Sequence, residues 1–151
     1  PNKKVTKERL DGYVDAMQKA GLQVKEQYVQ CTSTDYRSGY ECMNALLDLQ
    51  MPPTAVFCSD DAIASFAIRA VLDRGLRIPE DISIMGFDNQ TILPDHYRGP
   101  EITSVSQPLY NIGMDSVRIL SERLNSDKEM EPVRIMYQTN IVEKETVGEL
   151  R

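Results

Sequence analysis

Apolar positions recur along the chain with two different periods. Leu10, Tyr13, Val14 and Met17 fall at i, i+3, i+4 and i+7 and predict a helix with one buried face. Thr6 is placed to cap it, and Ala20-Gly21 to close it, with Gly21 in the left-handed position after the last turn. Residues 28–31 read as a short strand and 32–38 as turn. Tyr40, Met43, Leu46, Leu47 and Leu49 predict a second helix, stopped by Pro52-Pro53 because neither can donate to a continuing ladder. The run TAVFC, residues 54–58, is apolar throughout and too short for a helix, which suits a parallel strand buried on both faces. Ser59-Asp60-Asp61 then caps a helix carrying Ile63, Phe66, Ala67, Ala70 and Val71, ended by Gly75.

After a turn at Pro79-Glu80-Asp81, residues 82–87 (ISIMGF) form the next strand, which ends on Asp88-Asn89. From Gln90 the rhythm changes, and 93–100 read as a loop or a short helix. The β-branched run 102–106 predicts a strand, and Pro108 opens a helix with Leu109, Ile112, Gly113, Val117, Ile119, Leu120 and Leu124. Residues 126–131 form a charged turn, and 133–147 alternate as strand, most clearly over 134–137 and 139–142. Helices alternating with strands predict an α/β fold, a mostly parallel sheet flanked by helices. Neither an internal repeat nor a low-complexity stretch interrupts it.

A length of 151 residues fits one domain or one and a fraction. With 17 Lys+Arg against 23 Asp+Glu, the net charge of -6 speaks against nucleic-acid binding by bulk electrostatics. Contact with DNA would have to come from another part of the molecule. No apolar run approaches the ~18 residues that span a bilayer. The N-terminus lacks the apolar segment of a signal peptide and starts on Pro1, so a processed chain or an excerpt of a longer one is expected. Cys31, Cys42 and Cys58 have no CxxC spacing, which argues against a disulfide framework or a zinc site and for small hydrophobes in a reducing cytoplasm. The single histidine, His96, follows Pro94 and Asp95 and reads as a turn residue rather than a catalytic base.

Two carboxylates occupy equivalent places. Asp60 follows one predicted strand and Asp88 the next, and in open α/β sheets ligands bind beyond the carboxyl ends of strands. Each also has a plainer use, Asp60 as a helix cap and Asp88 in a turn. Arg9 is a third candidate, in the first turn of its helix, where the macrodipole disfavours a cation. An arginine with two aspartates is a donor-and-acceptor set for a neutral polyol, with aromatic faces free to pack on a sugar ring. It is a poor catalytic set, lacking a positioned nucleophile, a metal cluster or a phosphate loop, so neither enzyme activity nor a cofactor is expected.

The run PTAVFCSDDAIASFAIRAVLDRGLRIPEDISIMGFDN, residues 53–89, resembles the effector-binding core of the lactose/galactose-repressor family. RLDGYVDAMQKAGL, residues 9–22, is similar to that family's RxxGY helix, and TSVSQPLYNIGMDSVRIL, residues 103–120, to its crossover segment. The resemblance implies a sensor domain of the type I periplasmic-binding-protein kind, two α/β lobes with a small effector between them. It places the effector-contacting arginine on Arg9, the strand-end asparagine on Asp60, the GFD aspartate on Asp88, and a crossover residue near the cleft on Gln107. The sequence departs from the family in carrying Asp60-Asp61 for the usual Asn-Asp. It also shows no obvious aromatic before the SGY turn, where Thr34, Asp35 and Tyr36 stand. These departures bear on which effector is bound.

By the same likeness, residues 1–101 and 127–151 form most of a C-terminal lobe, and 102–126 are the crossover strand and helix of the other lobe. The DNA-binding helix-turn-helix, the N-terminal lobe and the opening strand of this lobe lie outside the chain. Dimer contacts would involve the helix at 62–74 and the loop near Tyr97. The expected function is the effector-sensing portion of a cytoplasmic bacterial transcription regulator. It would bind a sugar or similar small molecule, act as a homodimer, and reach operator DNA through the absent part. A solute-binding protein of a sugar transport system shares the fold and is the alternative; a flavodoxin-like enzyme would need a catalytic pair or cofactor loop.

Overall fold

The computed structural model describes residues 3–31, 35, 37–90, 97–126 and 131–149, with 3 and 4 by backbone only. The expectations for His96 and for Thr34 and Tyr36 lie outside the described residues.

Helix α1 spans Lys3–Lys19. Thr6 is therefore inside the helix rather than at its cap, because nothing in Lys3-Lys4-Val5 breaks a helical turn. Its C-terminus is as expected: Gly21 has φ +73°, its amide donates to the carbonyl of Gln18, and Leu22 donates to that of Met17. No residue over 5–19 is fully buried, and Leu10, on the face expected to be covered, is 40% exposed. The strand expected over 28–31 does not form. Glu26–Tyr28 makes a turn of 3-10 helix, the Val29 amide closes back on the Glu26 carbonyl, and the Tyr28 hydroxyl donates to the Met51 carbonyl at 2.8 Å.

Helix α2 (Ser38–Leu47) buries Gly39, Met43 and Leu46, and α3 (Asp61–Asp73) buries most of one side, including Ala64, Ala67, Ile68 and Val71. The two helices cross closely at Gly39, where a Cβ would stand 2.7 Å from the Ile63 carbonyl oxygen. Gly75, at φ +73°, ends α3 as predicted, with Leu76 donating back to Val71.

Among the described residues the sheet has four strands in the order β1 (Ala55–Phe57), β2 (Ser83–Phe87), β3 (Thr103–Ser106), β4 (Asn140–Val142). The pairs β1–β2 and β2–β3 are parallel and β3–β4 is antiparallel. The mostly parallel α/β prediction therefore holds, but two local expectations do not. Strand β1 is not buried on both faces: it is an edge strand with Ala55 and Phe57 exposed. Of the strand expected over 133–147, only Asn140–Val142 pairs, since a strand exists only where a neighbour takes its amides. The peptide bond Ile78–Pro79 is cis.

Alternation along the strands gives the sheet two distinct faces. Ile84 and Gly86 from β2, with Ile82, Cys58, Ile102 and Ser104 from the same side, meet the buried positions of α2 and α3 in the core. The opposite face carries Phe57 and Phe87, whose rings meet edge to face at 6.4 Å. Helix α4 (Leu109–Leu124) has no buried residue, and Tyr110 and Leu124 are 78% and 76% exposed. Among the described residues no helix is long and apolar enough to cross a membrane.

Candidate functional site at the strand ends

Parallel pairing of β1 and β2 brings their carboxyl ends side by side, as the sequence order required. Arg9 reaches across both. Its Nη1 donates to the Ser59 carbonyl beyond β1, and its Nη2 donates to Asp88 Oδ1 beyond β2 at 3.1 Å. The guanidinium carbon stands 3.8 Å from the centroid of the Phe87 ring. Two hydrogen bonds and one cation–π contact thus fix the fork in place, a use of planar geometry that a lysine does not match. Because α1 begins at Lys3, Arg9 lies past the first turn, so the macrodipole does not set its environment; its partners do.

Asp88 Oδ1 takes a second donor, Gln107 Nε2 at 2.6 Å, from the end of the segment leaving β3. Arg9, Asp88 and Gln107 therefore converge, drawn from three separate stretches of chain. Arg9 and Asp88 keep 20% and 28% of their side-chain surface exposed, enough for solvent or a ligand to reach them. Among the described residues Asp88 Oδ2 accepts no hydrogen bond. The backbone at Asp88 and Asn89 has φ +90° and +47°, the left-handed region that non-glycine residues rarely adopt and that recurs at functional sites.

Asp60 takes the helix-capping role weighed for it. Its Oδ1 accepts the Ile63 amide at 2.8 Å, and its neighbour Ser59 supplies the carbonyl held by Arg9. Asp61, by contrast, points into the sheet and is 2% exposed. Its Oδ1 accepts the Ser104 hydroxyl at 2.7 Å and its Oδ2 the Gln90 amide at 2.6 Å. Burial pushes its carboxyl above the ordinary carboxylate range, and these two donors only partly offset that. Sequence reasoning named Asp61 only as a possible cap and as part of the Asp60-Asp61 pair, and did not single out Ser104 or the Phe87 platform. The available signal was Gly86: a Cβ there would lie 2.0 Å from Asp61 Oδ1.

The three cysteines are free thiols, and that of Cys42 donates to the Cys31 carbonyl at 3.9 Å. Cys58 is buried, with its thiol pushed up to about 12 by desolvation, Cys42 is half-buried, and Cys31 is exposed. Among the described residues no group of three or more His, Cys, Asp or Glu side chains is placed to hold a metal ion.

Over residues 1–147 the chain matches the periplasmic binding protein-like domain. It is 37% identical to the HTH-type transcriptional repressor PurR of Pasteurella multocida over 98% of this chain and 44% of that protein. It is 39% identical to the HTH-type transcriptional repressor CytR of Escherichia coli K12 over 77% of this chain and 33% of that protein. The chain thus spans less than half the length of these relatives. Among solved structures it is similar to the transcriptional regulator CelR in complex with cellobiose, with a TM-score of 0.81 and 34% identity over 92% of this chain and 42% of that one. A LacI-family transcriptional regulator from Enterococcus faecium with bound ribose gives 0.82 and 27% over 100% and 54%. Sequence match and fold agree: the chain belongs to the periplasmic binding protein-like domain family, in the lactose/galactose-repressor branch.

Proposed function

We propose that this chain is the effector-sensing part of a bacterial transcription regulator, and that a small polyhydroxylated molecule, a sugar or a close relative, binds at Arg9, Asp88 and Gln107 with Asp60 alongside. The observation that carries the reading is the convergence of a guanidinium, a carboxylate and a carboxamide beyond adjacent parallel strand ends. Such a set both donates to and accepts from hydroxyl groups, while it offers no activated nucleophile, so the reading is of a binding site and not an enzyme. The names of the relatives favour regulation over transport, since PurR and CytR are repressors and the similar structures are transcription regulators. Operator binding, a cytoplasmic location and dimerisation belong to the whole protein under this proposal. The helix over 62–74 and the region of Tyr97 would serve as the dimer contact.

We propose further that the segment 102–126 links two lobes. Strand β3, expected with α4 in the other lobe, is instead hydrogen-bonded on both sides within this sheet, so its helix α4 alone would be the part that packs elsewhere. The exposed row Leu109, Met114, Val117, Leu120 and Leu124 supports this, since a row of that length is a core-facing stripe that nothing among the described residues covers. Population shift between two lobe arrangements, each binding the effector with a different affinity, would then carry the signal.

The test is thermal unfolding of the full-length protein with D-ribose, cellobiose and a wider sugar panel. At least one sugar is expected to raise the midpoint, and Asp88→Ala to abolish that rise while leaving the sugar-free midpoint within a few degrees. A rise that survives Asp88→Ala refutes the site.

A further inference from the structure

We propose that Asp61 and Ser104 are positioning residues that hold Asp88 in its left-handed conformation and so keep its carboxylate aimed at Arg9 and Gln107. The claim that this matters for effector binding rests on the reading of Asp88 given above; the clasp itself does not.

Three consecutive amides beyond β2 are taken up one by one. Asp88 donates to the Val105 carbonyl at 2.8 Å, Asn89 to Ser104 Oγ at 3.0 Å, and Gln90 to Asp61 Oδ2 at 2.6 Å. The Ser104 hydroxyl, having accepted Asn89, donates to Asp61 Oδ1 at 2.7 Å. This is a closed ring: carboxylate, hydroxyl, turn amide, next turn amide, and back to the carboxylate. Every acceptor in it comes from an ordered element, α3 on one side and the inner strand β3 on the other. Lys144 Nζ adds a contact to Asn89 Oδ1 at 3.2 Å from the chain just past β4.

Left-handed residues other than glycine are strained and persist only where their surroundings fix them. Asp88 and Asn89 are such a pair, at φ +90° and +47°. Without the ring the chain would relax toward ordinary turn geometry, and Asp88, which meets Arg9 and Gln107 through a single oxygen, would swing off both. Gly86 is the necessary partner. It pairs with Ser104 across the β2–β3 ladder, and only without a Cβ does it leave room for the Asp61 carboxylate to lie against the sheet.

The experiment is residue-resolved amide exchange and side-chain NMR on the full-length protein without any sugar. In the parent protein, the Asn89 and Gln90 amides are expected to exchange at least about a hundredfold more slowly than unprotected amides, although they lie past the end of β2. Unprotected rates there would overturn the clasp outright. Ser104→Ala is expected to speed Asn89 exchange at least tenfold relative to Ile84 and to shift the Gln107 carboxamide and Arg9 guanidinium signals toward free values. Should Ser104→Ala unfold, the near-isosteric Asp61→Asn replaces it, read at Gln90. A uniform rise in exchange across the sheet, or turn amides that open while the Gln107 and Arg9 signals stay put, would mean that Asp61 and Ser104 serve stability alone and would overturn the positioning role. Failure of every sugar in the panel would leave these readings untouched, so the two proposals fail separately.

Discussion

Gly86→Ala is the most demanding test of the buried network. The added methyl would meet Asp61 Oδ1 at 2.0 Å, Asp61 Cγ at 3.1 Å and Ile102 Cγ2 at 3.2 Å. Strand β2 cannot retreat, because it is hydrogen-bonded to β1 on one side and β3 on the other. The carboxylate must move instead, and it leaves two donors behind, the Ser104 hydroxyl and the Gln90 amide. Hydrogen bonds to a charged group contribute about 1.5–3 kcal/mol each, so losing both costs about 3–6 kcal/mol before relaxation recovers part of it. Against a total stability on the order of 5–15 kcal/mol, that is a large fraction. With a urea slope of about 2 kcal/mol per molar, that loss lowers the unfolding midpoint by about 1.5–3 M, less whatever relaxation recovers. Gly12→Ala is the control: nothing lies within 4 Å of its Cβ position and it sits inside α1, so alanine there is expected to be neutral or to stabilise by about 0.5–1 kcal/mol. A Gly86→Ala midpoint within about 0.3 M of the parent, with Gly12→Ala behaving as stated, would refute the tight contact between Asp61 and the sheet.

Other consequences can be checked separately. Cys31 is exposed, whereas Cys58 is buried with its thiol held at about 12, so a thiol reagent at neutral pH is expected to label Cys31 quickly and Cys58 only on unfolding; equal rates would contradict the core assignment. Asp61 has a carboxyl raised by burial, so the folded chain binds that proton more tightly than the unfolded one. Its contribution is fully present below the unfolded value and is lost as pH rises through the native one. Urea stability of the parent relative to Asp61→Asn should therefore improve as pH falls from neutral toward about 4, and a flat difference would be wrong for this environment. Val117→Glu, on the open face of α4, should change the stability of this 151-residue chain by less than about 0.5 kcal/mol, but should cost at least about 2 kcal/mol in a longer protein if that face is covered there.

What could be read from the chain was whatever is local. Gly21 and Gly75 announce helix ends because the left-handed conformation there is a property of one residue. Asp60 announces a cap because its acceptor and the Ile63 amide are three residues apart. Strand β2 is legible since its alternation is written in its own sequence. Apart from the start of α1, which local sequence left open, the failures are non-local. Residues 28–31 and 133–139 have strand-like composition, but a strand needs a neighbour to take its amides, and no pattern within the segment reveals whether one is there. The exposure of Phe57 follows from β1 lying at the edge, which again depends on what stands beside it. The bond between Asp61 and Ser104 joins positions 43 residues apart through the register of two strands. Arg9 and Asp88 were recoverable from chemistry and strand-end position. Gln107 came only from likeness to a family, since nothing in its own neighbourhood marks it as a partner of Asp88.

The signs and valences at the strand ends narrow the ligand class under the proposed function. A free anion would gain from Arg9 but would face Asp88, whose neutralisation by Arg9 is already in place at 3.1 Å. A free cation would meet the reverse problem. A neutral molecule with several hydroxyls avoids both, because each hydroxyl donates and accepts. Asp88 Oδ2 is available to accept, the Gln107 carboxamide oxygen is a second acceptor, and the guanidinium retains donors beyond the two that hold Ser59 and Asp88. The Phe87 face is covered by the guanidinium, so a sugar ring would stack elsewhere and meet this corner through its hydroxyls. Arg9 is held by groups of the protein itself, Ser59, Asp88 and Phe87, which lowers the entropy that binding must overcome and makes the corner selective for ligand geometry rather than for charge.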